Sequence, residues 1–257
     1  MRFAMLGSGS KGNATLIEYA GTRVLVDCGF PTREAEARLA RLGVAPDSID
    51  AILVTHEHAD HLGGVGRYAR RHGTTVWITQ GTHRAWADPE VPAVRIFSPH
   101  QDFTIGDLCI RPYPVPHDAR EPCQYVIAAG GRRLGILSDA GHVTAHMRAT
   151  LSGCDALLLE CNHDPALLAA GPYPASLKER VGGNRGHLAN AQAAELLRGI
   201  DCSRLQHLVL THLSEVNNRP DLARAAVTGA ITAPSGADAD WIVCADQGQG
   251  LDWRALA

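Results

Sequence analysis

No run of the sequence approaches the roughly 20 apolar residues that a membrane-spanning helix needs. The opening MRFAMLGSGSKGN has one early Arg and lacks the long apolar stretch of a secretory signal. Membrane insertion and export are therefore not expected, and the chain reads as cytoplasmic. An excess of positive charge is also missing. Lys and Arg number 24 against 27 Asp and Glu, a formal net charge of −3, so no global field draws the protein to nucleic acid. A local basic face stays open, because Arg supplies most of the cations. The seven cysteines contain no C-x-x-C pair and read as small buried thiols of a reducing compartment. Aromatics make up only 5 % of the chain. Low-complexity segments, solenoid-period repeats and a clear linker are absent too. The 257 residues are thus expected to form a single domain with a sizeable core.

What is present is a series of short apolar runs separated by turn signals. RFAML leads into GSGSKGN. ATLIEYA and RVLVDCG flank Gly21-Thr22, which predicts a hairpin. PTREAEARLARLGV predicts a helix capped by Thr32 and stopped by Gly43. IDAILVT and TVWIT are strands around a helix over LGGVGRYARRHG that ends at Gly73. FTIGDLCIRPYPVPH predicts two strands, its prolines placing the second at an edge or bulge. CQYVIAA, RRLGILSDAG, ALLLECNHD and LQHLVLTHLS are further strands. VTAHMRATLSG, NAQAAELLRG (capped by Asn190) and PDLARAAVTG (opened by Pro220) are helices, and DWIVCAD closes the core. Each half starts strand-rich and gains helices, so the expected class is α/β: two mixed sheets face to face with helices outside, a four-layer αββα sandwich. Gly130-Gly131 marks the midpoint without a hinge.

The densest chemistry lies in LVTHEHADHLGG, residues 53–64, where His56, His58, Asp60 and His61 follow a buried strand. Side chains two apart share a face of an extended segment, so His56 and His58 address one point. Asp60 and His61 address a second point nearby. Neutral imidazoles suit a borderline divalent cation, and a carboxylate with imidazole suits another. One loop cannot supply a full ligand set. His117 after PYPVP, Asp139 after LGILS and His212 after LVLT each end an apolar run, which brings them to the same rim if the sheets are ordered alike.

Through Asp27 in VLVDCG, THEHADH, His117, Asp139 and His212, the sequence resembles the metallo-β-lactamase-fold hydrolases over nearly its whole length. That resemblance implies the αββα fold and two divalent metal ions, zinc, manganese or iron. It implies His56, His58 and His117 on one metal, Asp60, His61 and His212 on the other, and Asp139 bridging them. Asp27 would brace the metal loop. A water shared by two such cations loses a proton near neutral pH and becomes the nucleophile, with Asp60 helping to orient it.

ECNHD and NRGHLANAQAA bear on the substrate. His187 precedes a helix start, where a phosphate is favoured. It can give a proton to a leaving oxygen while Glu160 holds its imidazole. The nuclease branches carry a similar pair. MRFAMLGSGSKGNATLIE, ECNHD, GPYPASLKERV, GHLAN and THLSEVNN together resemble the YycJ (WalJ)-type branch, compact bacterial proteins proposed as DNA exonucleases. One departure is that small Ala-type residues follow the histidine-loop motif in GHLANAQAA, where Ser is common. The interval between Asp139 and His212 leaves no room for the large inserted domain of the mRNA 3′-processing nucleases. Lys178, Arg180 and Arg185 are expected to neutralise backbone phosphates. GSGSKGN lacks the ending of a nucleotide P-loop, and Ser8, Ser10 and Asn13 are expected to touch substrate. The expected activity is a metal-dependent phosphodiesterase acting on DNA. A thioester or lactone hydrolase using the same metals without His187 is the alternative, and a non-enzymatic regulator retaining the fold is a third.

Overall fold

The computed structural model describes residues 1–86, 88, 90–233 and 240–257. The first apolar runs form an antiparallel meander, β1 (Arg2–Gly7), β2 (Ala14–Tyr19) and β3 (Thr22–Val26). Three parallel strands extend it: β4 (Ala51–Leu53), β5 (Thr75–Thr79) and β6 (Val94–Phe97). Parallel neighbours need crossovers. Here these are α1 (Thr32–Arg41), then α2 (Ala59–Leu62) with α3 (Val65–His72), then α4 (Gln80–Ala85).

The second sheet repeats this plan. β7 (Phe103–Ile105), β8 (Leu108–Pro114), β9 (Cys123–Ala129) and β10 (Arg132–Leu137) are antiparallel. β11 (Ala156–Glu160), β12 (His207–Thr211) and β13 (Ile242–Cys244) add in parallel. The crossovers are α5 (Ala145–Leu151), then α6 (Pro165–Ala170), α7 (Ala175–Val181) and α8 (Asn190–Arg198), then α9 (Pro220–Thr228). β14 (Leu251–Ala255) returns to the first sheet and pairs with β1. Among the described residues each sheet has seven strands, ordered β14-β1-β2-β3-β4-β5-β6 and β13-β12-β11-β10-β9-β8-β7.

The alternation of side chains along a strand builds three apolar layers. In β11, Leu158 points between the sheets with Phe3, Ile17, Tyr125 and Val209. Leu157 and Leu159 point the other way, onto Met147, Leu196, Leu197 and Val227 of the helices. Leu16, Leu25 and Ile52 pack likewise on Leu39, Tyr68 and Ala69. Burial on both faces explains why these strands read as unbroken apolar runs. Each such side chain contributes about 1.5–3 kcal/mol. The αββα sandwich of metallo-β-lactamase type is the architecture found.

Local expectations shift in several places. The first hairpin turns at Ala20 and Gly21, both at positive φ, so Thr22 already belongs to β3. Pro31, not Thr32, is the N-cap of α1; Thr32 is the first helical residue and its Oγ1 is buried without a partner among the described residues. Ala189 likewise precedes α8, and the amide of Asn190 pairs instead with that of Asn218. The LGGVGRYARRHG helix starts at Val65, because Leu62 ends the separate turn α2. β8 is an interior strand, yet β7 pairs with it only as far as Ile110, so Pro112 and Pro114 lie where one side is unpaired. Gly130 and Gly131 make the β9–β10 turn, inside a sheet. DWIVCAD does not close the core: β14 follows, and Trp253 donates to the Leu42 carbonyl 3.0 Å away.

Candidate metal centre

The site lies where strands of both sheets end. Asp27 follows β3, His56 follows β4, His117 follows β8, and Asp139, Glu160 and His212 stand at the ends of β10, β11 and β12. The chain turns sharply there. Asp27, Asp139 and His212 have φ of 61°, 55° and 53°, the left-handed region that residues with a Cβ seldom occupy. Close approach sets the metal loop as well. A Cβ on Gly29 would lie 1.9 Å from the Asp60 carbonyl oxygen, and one on Gly64 1.9 Å from that of Phe30.

Each inner imidazole is oriented through one nitrogen, which frees the other. Asp27 Oδ2 accepts from His61 Nδ1 at 2.8 Å, and the same carboxylate accepts from the backbone N–H and hydroxyl of Thr55, each at 2.8 Å. Thr55 Oγ1 has spent its proton on Asp27, so it accepts from His56 Nδ1 at 3.0 Å. That leaves His56 Nε2 buried with no hydrogen-bond partner among the described residues. His117 Nδ1 donates to the Gly186 carbonyl at 3.0 Å. His58 is reversed: its Nδ1 lies 3.2 Å from His117 Nε2, and its Nε2 faces Asp118 Oδ1 at 3.7 Å. His212 Nδ1 lies 3.1 Å from Glu160 Oε1 and its Nε2 3.4 Å from Asp60 Oδ2. Fixing one ring nitrogen so that the other is presented is how proteins prepare histidine for metal ligation.

The presented atoms converge. His56, His58 and His117 form one donor group, and Asp60, His61 and His212 another. His56, His61 and Asp139 form a third that joins them. Asp139, Glu160, His187 and His212 form a fourth. A buried imidazole nitrogen without a partner costs desolvation energy with no return. A cation in the His56 group would satisfy it, so the residues fit a divalent metal. Histidine and carboxylate donors without thiolate suit zinc, manganese or iron.

Electrostatics fit the same reading. Burial alone would raise the carboxyl pKa values and lower those of the imidazoles. At Asp139 it is outweighed by His212, His61 and His56, which hold the carboxyl well below its ordinary range. At Asp60 it is outweighed by His212 and His61, and at Glu160 by His187 and His212. His212 rises to about 10 against burial, driven by Asp139, Asp60 and Glu160. His61 rises too, through Asp139 and Asp27. His56 and His117 are pushed down, chiefly by burial and then by neighbouring imidazoles. Without metal, protons on His61 and His212 hold the carboxylates together. Cations bound there would replace those protons.

His187 Nδ1 lies 2.9 Å from Glu160 Oε1 and 3.4 Å from Asp139 Oδ1. Glu160 is fully buried, and its Oε2 accepts from the backbone N–H of Ala140 and Leu188, each at 3.1 Å. The residues expected to meet substrate divide. Ser8 is buried and its Oγ accepts from the His212 N–H at 2.8 Å. Asn13 is buried as well: its Oδ1 accepts from the Gly9 N–H and its Nδ2 reaches the Gly9 carbonyl and Asp60. Both brace the loop. Ser10 and Arg185 are exposed. Lys178 turns to the Ala169 carbonyl at 2.6 Å, and Arg180 Nε meets Asp118 Oδ2 at 2.6 Å.

Sequence reading missed Thr55, Asp118, the Gly186 carbonyl and the Asn190–Asn218 amide pair. Asp118 adjoins His117 in sequence and had a local signal; the others act through contacts far along the chain. A cavity of about 650 Å³ lies apart from the histidine cluster. It opens on the far side of Ser8, between the Leu213–Asn218 loop, Arg224 and Val243–Gln247.

Residues 22–213 match the family described as the Beta-lactamase superfamily domain. The exodeoxyribonuclease YycJ of Bacillus anthracis is 34% identical over 232 residues, 89% of this chain and 88% of that protein. The exodeoxyribonuclease WalJ of Streptococcus pneumoniae is 31% identical over 259 aligned positions, 98% of this chain and 92% of its own. In three dimensions the metallo-β-lactamase fold protein YhfI of Bacillus subtilis superimposes with a TM-score of 0.74 over 99% of both chains at 16% identity, a likeness of fold. By sequence and by fold, the chain belongs to the β-lactamase superfamily, in the branch of YycJ and WalJ.

Proposed function

We propose that the protein is a metal-dependent phosphodiesterase that removes nucleotides from DNA ends in the cytoplasm, acting as one domain on two divalent cations. His56, His58 and His117 would hold one, Asp60, His61 and His212 the other, with Asp139 shared. When bound, such a pair supplies an ionised water near neutral pH and neutralises charge that grows on phosphate oxygens.

The observation that carries the reading is His187 held on Glu160 at 2.9 Å, beside the shared carboxylate Asp139. With Nδ1 engaged by Glu160, Nε2 is the nitrogen left to hold a proton for the departing 3′ or 5′ oxygen. That alkoxide is a poor leaving group unless protonated, and a positioned imidazole typically contributes 10²–10⁴-fold. A thioester has a better leaving group and does not need it. The relatives named exodeoxyribonucleases, aligned over most of both chains, support DNA as the substrate class.

The test is release of nucleotides from end-labelled duplex DNA by purified protein with manganese or zinc. His187→Ala should lower the rate by about 10²–10⁴-fold with metal content unchanged. No release with either metal, alongside rapid thioester or lactone hydrolysis that survives His187→Ala, would replace this reading with the small-molecule hydrolase.

A further inference from the structure

The segment from Arg180 to His187 serves the site three times. Arg180 meets Asp118 at 2.6 Å, the Gly186 carbonyl orients His117, and His187 meets Glu160. The segment is compact: the His187 N–H donates to the Val181 carbonyl at 2.9 Å, and a Cβ on Gly186 would lie 2.2 Å from the carbonyl oxygens of Arg180 and Val181. Arg180 is therefore fixed relative to the catalytic histidine by a few bonds of well-packed backbone.

Asp118 is the joint between this cation and the metal ligands. Its Oδ1 faces His117 Nε2 at 3.4 Å and His58 Nε2 at 3.7 Å, and its Oδ2 takes Arg180 Nε. The Arg180 side chain is 58% exposed, and among the described residues only Nε has an acceptor. The Nη1 and Nη2 fork is free, a geometry that matches two phosphate oxygens. Lys178 directs one of its three ammonium N–H groups to the Ala169 carbonyl, so the three cations expected at the backbone are not equivalent.

We propose that Arg180, tethered by Asp118, grips the backbone phosphate next to the one being cut, and that Asp118 is the positioning residue that sets its reach. The proposal rests on the nuclease reading. The strand is then registered against His58 and His187 by one guanidinium, and the tether and the cation act as a unit.

The experiment uses metal-loaded protein carrying Arg180→Ala, Arg180→Lys, Asp118→Ala and the double alanine substitution. Binding to phosphorothioate-protected DNA is measured against salt, together with KM and kcat on cleavable DNA and metal content per chain. Arg180→Ala should reduce the slope of log K against log salt by about 0.9, one phosphate contact. It should raise KM more than it lowers kcat and leave metal content at the wild-type value, and Arg180→Lys should recover part of the slope. Asp118→Ala should weaken DNA binding in the same direction, and the double variant should be little worse than Arg180→Ala alone. Wild-type slope and KM in Arg180→Ala, in a protein that cuts DNA, would overturn the proposal and leave the nuclease reading standing. Strict additivity of the two substitutions would overturn the tether. A wild-type protein that neither binds nor cuts DNA would remove both.

Discussion

Oδ2 of Asp27 lies 2.8 Å from Nδ1 of His61, a member of the donor cluster, and both side chains are almost wholly buried. The contact fixes which nitrogen His61 presents. Asp27→Asn keeps the size, and Asn tolerates the left-handed φ of 61° found there, so backbone strain is not the cause of any defect. An amide cannot accept from Thr55 N–H, Thr55 Oγ1 and His61 Nδ1 at once. Metal affinity should fall about 10–100-fold and stability by about 1–3 kcal/mol, read by metal titration and thermal unfolding. Wild-type affinity in this variant would show that Asp27 does not set the His61 ring.

Glycine at position 29 is required by a close approach. Gly29→Ala drives a methyl group into the Asp60 carbonyl, and backbone has no side-chain freedom with which to yield. The expected cost is about 1–3 kcal/mol together with loss of metal, since Asp60 and His61 must move. Gly43→Ala is the contrast. Its Cβ meets nothing within 4 Å, but φ is 71°, so it should lower the melting temperature and leave metal binding alone. Equal metal loss in both variants would reduce the Gly29 effect to general destabilisation.

Much of this architecture is legible in the chain because the inner strands are buried on both faces. ALLLE and LVLT announce themselves without any partner being known, and each delivers a polar residue at its end. What stays hidden depends on distant pairing. LDWRA alternates weakly, and only pairing with β1 makes it a strand. Thr55 reads as an ordinary Thr until Asp27 meets it. Ser8 and Asn13, expected at the substrate, are buried and bonded to His212 and to the loop itself. Thr32 and Asn190 are misread as caps for a local reason: the residue before each is already extended, so the helix has begun by the time the polar side chain arrives.

Chelation should change the pH dependence of stability in a defined direction. In the metal-free protein His212 rises to about 10, above its unfolded value of roughly 6.5. Its stabilising contribution is complete below about 6.5 and is lost as pH rises through about 10. The lowered carboxyls of Asp60, Asp139 and Glu160 act oppositely: their contribution is present above roughly 4 and is lost on acidification. Chelated protein should thus lose stability between neutral pH and pH 10, while metal-loaded protein, with cations in place of those protons, should not. Parallel melting curves from pH 6 to 10 decide it. Coincident profiles with and without chelator would mean that the donor cluster binds no cation.

Glu160 joins the candidate metal donors to His187, the proposed acid, and its substitution should separate from that of His187. Oε1 contacts both His187 and His212, and Oε2 accepts two backbone N–H groups. Glutamine keeps one oxygen acceptor and turns the other position into a donor. Either the imidazoles lose their acceptor or the N–H groups of Ala140 and Leu188 face an NH₂. His212 then loses its orienting contact, so Glu160→Gln should lower metal retention as well as turnover. His187→Ala should lower turnover alone. Adding His187→Ala to Glu160→Gln should cost less than its effect in the wild type, because the imidazole has already lost its orienting carboxylate. Metal analysis beside kcat for the three variants tests the arrangement. A Glu160→Gln protein with full metal and normal turnover would show that neither histidine relies on this carboxylate.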